Sequence, residues 1–303
     1  MRESTRNSFN NDEVDVIGLD IGVYNTKTST GFICRSVYSN NTKYNVGTKD
    51  ILELNGVRYQ MGVGKLKTEI IKSNRDTLPL MLYAVSNSTS CNNVKLVVGL
   101  PQYQLEENKY VNEIKEKFIG KFSFMLNGDN REINILDITI FPEGMGAYYT
   151  IENDLSNKDI VLIDIGGSTF NVLLFSNGEF KKAKTLSFGS LNLLNDVRER
   201  VMKLHGGRHS IDDVANYMQR GRVGKTDDKM EYVTELSQPY IDDLKSLLDL
   251  EFSPAGVEYY LTGGGVEVFA ECIINNLGDV DLICDYLHAN AKGFKMIGDV
   301  IYG

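Results

Sequence analysis

Three glycine-rich stretches each follow a short apolar run, and two of them begin with an aspartate. The first is Asp20-Ile21-Gly22-Val23-Tyr24-Asn25-Thr26-Lys27. The second is Asp164-Ile165-Gly166-Gly167-Ser168-Thr169, and the third is Gly263-Gly264-Gly265. A turn at a strand end exposes backbone N–H groups that can cradle phosphate oxygens. Glycine suits such a turn because a Cβ would hold the phosphates away. In the first stretch Asp20 can orient water on a magnesium ion and Lys27 can neutralise β- and γ-phosphates. Asn25 and the backbone of Gly22, Val23 and Tyr24 can donate to phosphate oxygens. In the second, Asp164 can share the metal, while Gly166, Gly167, Ser168 and Thr169 grip the other side. Two carboxylates suit a hydrated Mg2+, which keeps several of its waters. Gly263, Gly264 and Gly265 can pass under an adenosine and α-phosphate at a helix start.

Glu143 stands in Phe141-Pro142-Glu143-Gly144, at a joint between the two halves. A carboxylate there can polarise a water that attacks a γ-phosphate. Taken singly, each motif has a plain structural reading. Asp-Ile-Gly is commonly only a turn, Glu143 an acid favoured by a helix dipole, and Lys27 a strand-edge charge. Their joint order argues against that reading.

The elements around them form an internal echo. Residues 16–29 read VIGLDIGVYNTKTS and residues 160–174 read IVLIDIGGSTFNVLL. Each runs from apolar strand through Asp-Ile-Gly into β-rich sequence, a hairpin signal. Asp20 and Asp164 are therefore equivalent points nearly half a chain apart, which implies two domains of similar fold. Elsewhere strands and helices alternate, as in an α/β architecture with mixed sheets. A hairpin is expected over 43–62 around Asn55-Gly56, and strands at 94–100, 122–126, 132–140, 179–186 and 257–261. Helices are expected over 76–88, 104–118, 143–152, 191–204, 211–219 and 266–275, and from 291 onward. A long helix over 230–250 should break near Pro239.

The composition is ordinary for a globular chain of 303 residues, with 42% hydrophobic and 24% charged residues. A net charge of −9 argues against direct nucleic-acid binding by the body of the protein. Cys34, Cys91, Cys272 and Cys284 are too dispersed for a zinc or redox motif and are expected as buried free thiols. His205, His209 and His288 form no metal signature, and the first two are expected in a loop. Residues 1–11 are polar without a signal-peptide core, and no apolar run spans a bilayer. A cytoplasmic location without membrane attachment is the expectation.

The order of these motifs resembles the actin/Hsp70/hexokinase superfamily, with its phosphate-1, connect-1, phosphate-2 and adenosine motifs. Asp20, Gly22, Asn25 and Lys27 fit a D-x-G-x-x-N-x-K pattern similar to ParM and related plasmid-segregation actins. Pro142-Glu143 resembles connect-1, residues 164–169 phosphate-2, residues 262–267 the adenosine motif, and Ala289-Asn290-Ala291-Lys292-Gly293 the ANxxG segment of ParM-like chains. The resemblance covers about residues 14–303. It implies an actin-like ATPase fold of two duplicated domains, mixed sheets flanked by helices, and a nucleotide cleft. The first domain is expected over 14–150, with a small insertion at about 35–90 and the tail 285–303 returning to it. The second is expected over 151–284. Catalytic roles would fall to Glu143, Asp164 and Asp20, with Asp20 and Asp164 holding Mg2+ through water. Asp196 and Glu199 are candidates for ribose contacts, with a solvated helix face as the competing reading. Tyr24 stands where the family often has a small residue, and Asn171 where many members carry Asp.

The resemblance implies a Mg-dependent triphosphatase, using ATP or GTP, that forms dynamic homopolymeric filaments. A ParR-like DNA-binding adaptor at the filament end would carry plasmid or other low-copy replicon DNA. The alternative is a non-polymerising small-molecule phosphotransferase or a chaperone-like ATPase of the same fold. Against sugar kinases, no Asn-Asp-Ala catalytic aspartate or Cys-rich zinc loop occurs. Against exopolyphosphatases, Phe170 and Asn171 follow Thr169 where a glutamate is usual. A full Hsp70 would need a further substrate-binding domain, and an MreB-like actin an amphipathic N-terminal helix.

Overall fold

The structure is a computed structural model that describes residues 13–40, 50–66, 69 and 71–303. The polar stretch 1–11 and residues 43–49 of the expected hairpin lie outside the described residues. The chain divides into two compact units. Unit 1 holds residues 1–100, 104–141 and 290–303, and unit 2 holds residues 101–103 and 142–289.

Among the described residues, unit 1 is built on a nine-stranded sheet. Its strands are β1 (Val14–Ile21), β2 (Asn25–Thr28), β3 (Ile33–Arg35), β4 (Tyr38–Ser39), β5 (Ile51–Leu54), β6 (Val57–Met61), β7 (Asn93–Leu100), β8 (Gly120–Leu126) and β9 (Asp129–Pro142). Their order is β3-β2-β1-β7-β9-β8-β5-β6-β4. The Asn55-Gly56 and Asn127-Gly128 turns both take positive φ, as tight hairpins of twisted strands require. Helix α1 (Leu78–Ser86) is almost wholly buried and opens on Pro79. The helix expected over 104–118 is two pieces, α2 (Gln102–Leu105) and α3 (Asn108–Phe118). Glu107 lies between them in extended backbone, at the N-cap position of the second but without a side-chain cap.

Unit 2 carries a five-stranded sheet of order β12-β11-β10-β13-β14. These strands are β10 (Asp159–Ile165), β11 (Phe170–Ser176), β12 (Glu179–Leu186), β13 (Glu258–Thr262) and β14 (Val280–Leu282). The stretch 143–152 is mostly turn, with only α4 (Met145–Tyr148) helical. Gly144, at φ 88, cannot continue a right-handed helix, which is why the helical run starts after it. The larger helices are α5 (Ser190–His205), α6 (Ile211–Arg220), α7 (Tyr232–Glu251) and α8 (Val266–Leu277). Helix α6 opens with a capping box, Ser210 accepting from the Asp213 amide and Asp213 accepting in return. Pro239 sits inside α7 without ending it. The helix survives the lost amide because Ile241, Leu244 and Leu248, beyond the proline, are all buried. A last helix, α9 (Ala289–Tyr302), closes the described chain.

Each unit has its own apolar core. That of unit 1 centres on Leu19, Leu82, Leu96 and Ile133, and that of unit 2 on Ile163, Phe170, Leu244 and Phe269. In unit 1, α9 packs so closely on β1 that a Cβ at Gly18 would lie 1.9 Å from the Ala291 carbonyl oxygen. All four cysteines are free, but only Cys91 is buried, and Cys284 is exposed. His205 ends α5 rather than lying in a loop. No helix among the described residues is long and apolar enough to cross a membrane.

Candidate functional site

The predicted residues fall in both units, and each unit places one loop of them on a strand hairpin of the same construction. In unit 1, β1 and β2 pair antiparallel with Asp20 opposite Lys27. The four residues between Ile21 and Thr26 form a loop closed by the Gly22 amide donating to the Asn25 carbonyl at 3.0 Å. In unit 2, β10 and β11 pair antiparallel with Asp164 opposite Asn171. The four residues between Ile165 and Phe170 close by the Gly166 amide donating to the Thr169 carbonyl at 2.8 Å. The sequence echo is thus a structural repeat with matching register, loop length and closing bond. At both leading glycines a Cβ would strike the carbonyl it closes on, at 2.7 Å for Gly22 and 3.0 Å for Gly166.

Across the first hairpin, Lys27 Nζ lies 3.2 Å from Asp20 Oδ2. Burial pushes the Asp20 pKa up, but the charges of Lys27, Lys72 and Arg75 outweigh it and hold the carboxyl below its ordinary value. Lys72 and Arg75 are buried at a 3-10 turn, Lys72–Asn74. Lys72 donates Nζ to the Gly99 carbonyl at 3.0 Å and its amide to Gln104 Oε1 at 3.1 Å. Lys117, at the end of α3, donates to the carbonyl of Arg75. Arg75 also lines a cavity with Gly22, Val23, Ser36 and Thr77. Buried positive charge beside a phosphate-type loop suits a polyanionic ligand. Sequence pattern did not mark Lys72 or Arg75, because they lie far from the repeat on an irregular segment. Tyr24 is stacked under the Arg35 guanidinium at 3.5 Å, and its carbonyl accepts from the Ser36 amide at 3.0 Å. Those contacts hold its bulk to one side, so the loop keeps the closure of its twin.

In unit 2 the structure brings together Asp164, Gly166 to Thr169, the triglycine and Glu143. A Cβ at Gly263 would meet Asp164 Oδ1 at 2.4 Å, and one at Gly265 would meet Ile165 Cγ2 at 2.3 Å. Gly265 donates its amide to the Ile165 carbonyl at 2.8 Å, and Gly264 is exposed between them. The triglycine therefore lies against the end of β10 and leads into α8. The second loop is braced from behind by the start of α5, where Ser190 and Leu191 donate to the carbonyls of Gly166 and Gly167 at 3.0 and 2.9 Å. Gly144, next to Glu143, lies close enough that a Cβ would be 3.4 Å from Asp164 Cβ. Asn171 Nδ2 donates to Glu143 Oε2 at 2.9 Å, while Asn171 Oδ1 accepts from Thr185 Oγ1 at 2.8 Å. Asn171, marked in the sequence only as a departure, thus holds the Glu143 side chain. The repeat could have marked it, since it occupies the register position of Lys27.

Glu199 is exposed on α5, with Asn195 donating to it at 3.4 Å. Asp196 accepts from the Tyr240 hydroxyl at 2.5 Å. Among the described residues, neither has a hydrogen bond or ion pair to the loops. No group of three or more His, Cys, Asp or Glu side chains among the described residues could hold a metal ion.

Residues 18–146 match the model for the actin like proteins N terminal domain. The archaeal actin homolog Ta0583 superposes with a TM-score of 0.77 over 94% of this chain and 99% of its own, at 20% identity. The fold is actin-like. Ta0583 in complex with ADP is similar at a TM-score of 0.76 and 19% identity, again over 94% and 99% of the two chains. A subunit of a 15-stranded ParM filament from Clostridium botulinum is similar at a TM-score of 0.71 and 19% identity, over 94% and 99%. The cell division protein FtsA of Bacillus subtilis (strain 168) is 23% identical over 168 residues, which is 48% of this chain and 38% of that relative. The match thus spans well under half of FtsA. The actin-like architecture accounts for the two hairpins, since both sheets carry the same strand–loop–strand unit at an equivalent place.

Proposed function

We propose that this actin-like chain is a polymerising nucleoside triphosphatase that moves low-copy replicon DNA by filament growth and turnover. The observation that carries the reading is the matched pair of loops, each closed by one amide–carbonyl bond behind a strand-terminal aspartate. The loop amides bind phosphate oxygens of ATP or GTP, and Lys27 neutralises the β- and γ-phosphates. Mg2+ would be held through water by Asp20 and Asp164, where it would offset phosphate charge. Gly263 to Gly265 support the nucleoside side at the start of α8. Glu143, aligned by Asn171, orients and deprotonates the attacking water.

Binding closes the protein into an assembling form, and hydrolysis loosens it. The solved filament of a ParM from Clostridium botulinum supports self-assembly as the outcome of this fold. Contact with DNA runs through a ParR-like adaptor at the filament end, consistent with a net charge of −9, and the protein works in the cytoplasm without a membrane partner. Negative-stain electron microscopy of purified protein tests this. Filaments with Mg-ATP or Mg-GTP and none without nucleotide are expected. Particles that stay monomeric while hydrolysing nucleotide would overturn it in favour of a soluble phosphotransferase or chaperone-like ATPase.

A further inference from the structure

Unit 2 carries two surface patches of opposite charge, each with exposed apolar side chains. The first surrounds the end of α5 and the loop between α6 and α7. Lys203, Arg208, Arg220, Arg222, Lys225 and Lys229 are all exposed there, and none is ion-paired among the described residues. The exposed carboxylates nearby are fewer: Asp212, Asp227 and Glu231. Asp213 caps α6, and Asp228 is held by His205 at 2.6 Å. That His205–Asp228 bond ties the loop between α6 and α7 to the end of α5, which brings the two stretches that carry the cations together. Among them Met202 and Leu204 are 40% and 56% exposed. Elsewhere Lys121, Lys158, Lys181 and Lys295 all meet carboxylates.

The second patch lies on the C-terminal half of α7. Asp242, Asp243 and Asp249 are exposed there without an ion pair among the described residues, around Leu250, which is 83% exposed. Lys182 and Lys184 approach Glu251 at 3.7 and 3.8 Å, and Lys182 also lies over the Phe252 ring at 4.6 Å. The Tyr232 hydroxyl donates to Asp228 at 3.2 Å, tying the N-terminal end of α7 to the basic patch. A helix of 20 residues is about 30 Å long. The patches therefore sit at opposite ends of one rigid element.

We propose that these patches dock on each other between successive copies of this chain, as the head-to-tail contact of its assembly. The occupant is a second copy because each copy supplies both halves: exposed cations together with Met202 and Leu204, and exposed carboxylates together with Leu250. An apolar centre with a charged rim is the usual anatomy of a protein interface. Two different patches at opposite ends make a heterologous contact, which builds an open polymer rather than a closed pair. Opposite charge also lets copies of a strongly acidic chain approach in a fixed orientation. The inference rests on the filament reading and assigns the surfaces that reading leaves open.

The test compares wild type, Arg222→Glu/Lys225→Glu, Asp242→Lys/Asp249→Lys and the fourfold charge swap by sedimentation with Mg-ATP. Nucleotide binding and far-UV circular dichroism serve as controls of folding. Each double variant is expected to raise the critical concentration by roughly tenfold or more, and the fourfold swap to restore assembly. Double variants that assemble at the wild-type critical concentration would overturn the proposal while leaving the filament reading intact. So would wild-type binding to duplex DNA that Arg222→Glu/Lys225→Glu abolishes with assembly unchanged. A wild type that never assembles would sink the filament reading and this contact together.

Discussion

The side-chain amide of Asn171 donates to the carboxylate of Glu143 at 2.9 Å, while its carbonyl oxygen accepts from Thr185. The bond fixes the orientation of the Glu143 carboxylate. Glu143→Gln is therefore expected to keep nucleotide binding but lower phosphate release by about two to four orders of magnitude, as measured by single-turnover kinetics. Asn171→Asp replaces a donor with a like charge, which raises the pKa of the carboxylate pair and weakens the hydrogen bond. Its hydrolysis should fall and its pH–rate profile shift to higher pH, whereas Asn171→Ala should lower the rate without that shift.

Asp20 gives a pH signature of stability. Its folded-state pKa is depressed below 3.8, because Lys27, Lys72 and Arg75 together exceed the effect of burial. A depressed acid contributes stability above its unfolded pKa and loses it as pH falls through the folded value. The stability difference between wild type and Asp20→Asn, from urea unfolding, should be constant at neutral pH. It should shrink once pH drops below about 4.

The second loop rests on a glycine that no motif marks. A Cβ at Gly189 would meet the Gly166 carbonyl oxygen at 2.5 Å and the Gly167 carbonyl carbon at 2.6 Å. These are backbone atoms, so Gly189→Ala must displace the loop. Isothermal calorimetry should show triphosphate affinity lowered by tenfold or more, on the order of 1.4 kcal/mol, with helical content retained.

Gly18 tests the packing of α9 in the same way. Gly18→Ala would place a methyl group 1.9 Å from the Ala291 carbonyl oxygen and 2.6 Å from the Lys295 amide. Overpacking of this kind costs about 1–3 kcal/mol. Thermal unfolding should show a clear loss of stability, and Gly31→Ala, where nothing lies within 4 Å but φ is 87°, a smaller one.

The hairpins, the buried strand before Pro101 and the capped α6 were legible because local chemistry decides them: Asn-Gly turns, apolar alternation and a Ser–Asp box. The loops were legible because the chain repeats them. The break before α3 and the short α4 were not, since there positive φ and local backbone geometry override an amphipathic pattern. Pro239 misled in the other direction, because burial of Ile241, Leu244 and Leu248 outweighs one lost amide. The charges around Asp20 were invisible for a different reason. Lys72 and Arg75 reach Asp20 through tertiary packing, and no spacing in the sequence records that. Asn171 was visible but misjudged, since only the strand register shows it standing to Asp164 as Lys27 stands to Asp20.

In the proposed function, triphosphate binding at the loops drives assembly and hydrolysis follows. Right-angle light scattering of purified protein with Mg-ATP, with phosphate release followed in the same cuvette, tests it most directly. A rise above a critical concentration, with phosphate appearing after it, is the result expected. Phosphate release with no rise in scattering at concentrations up to tens of micromolar would contradict it.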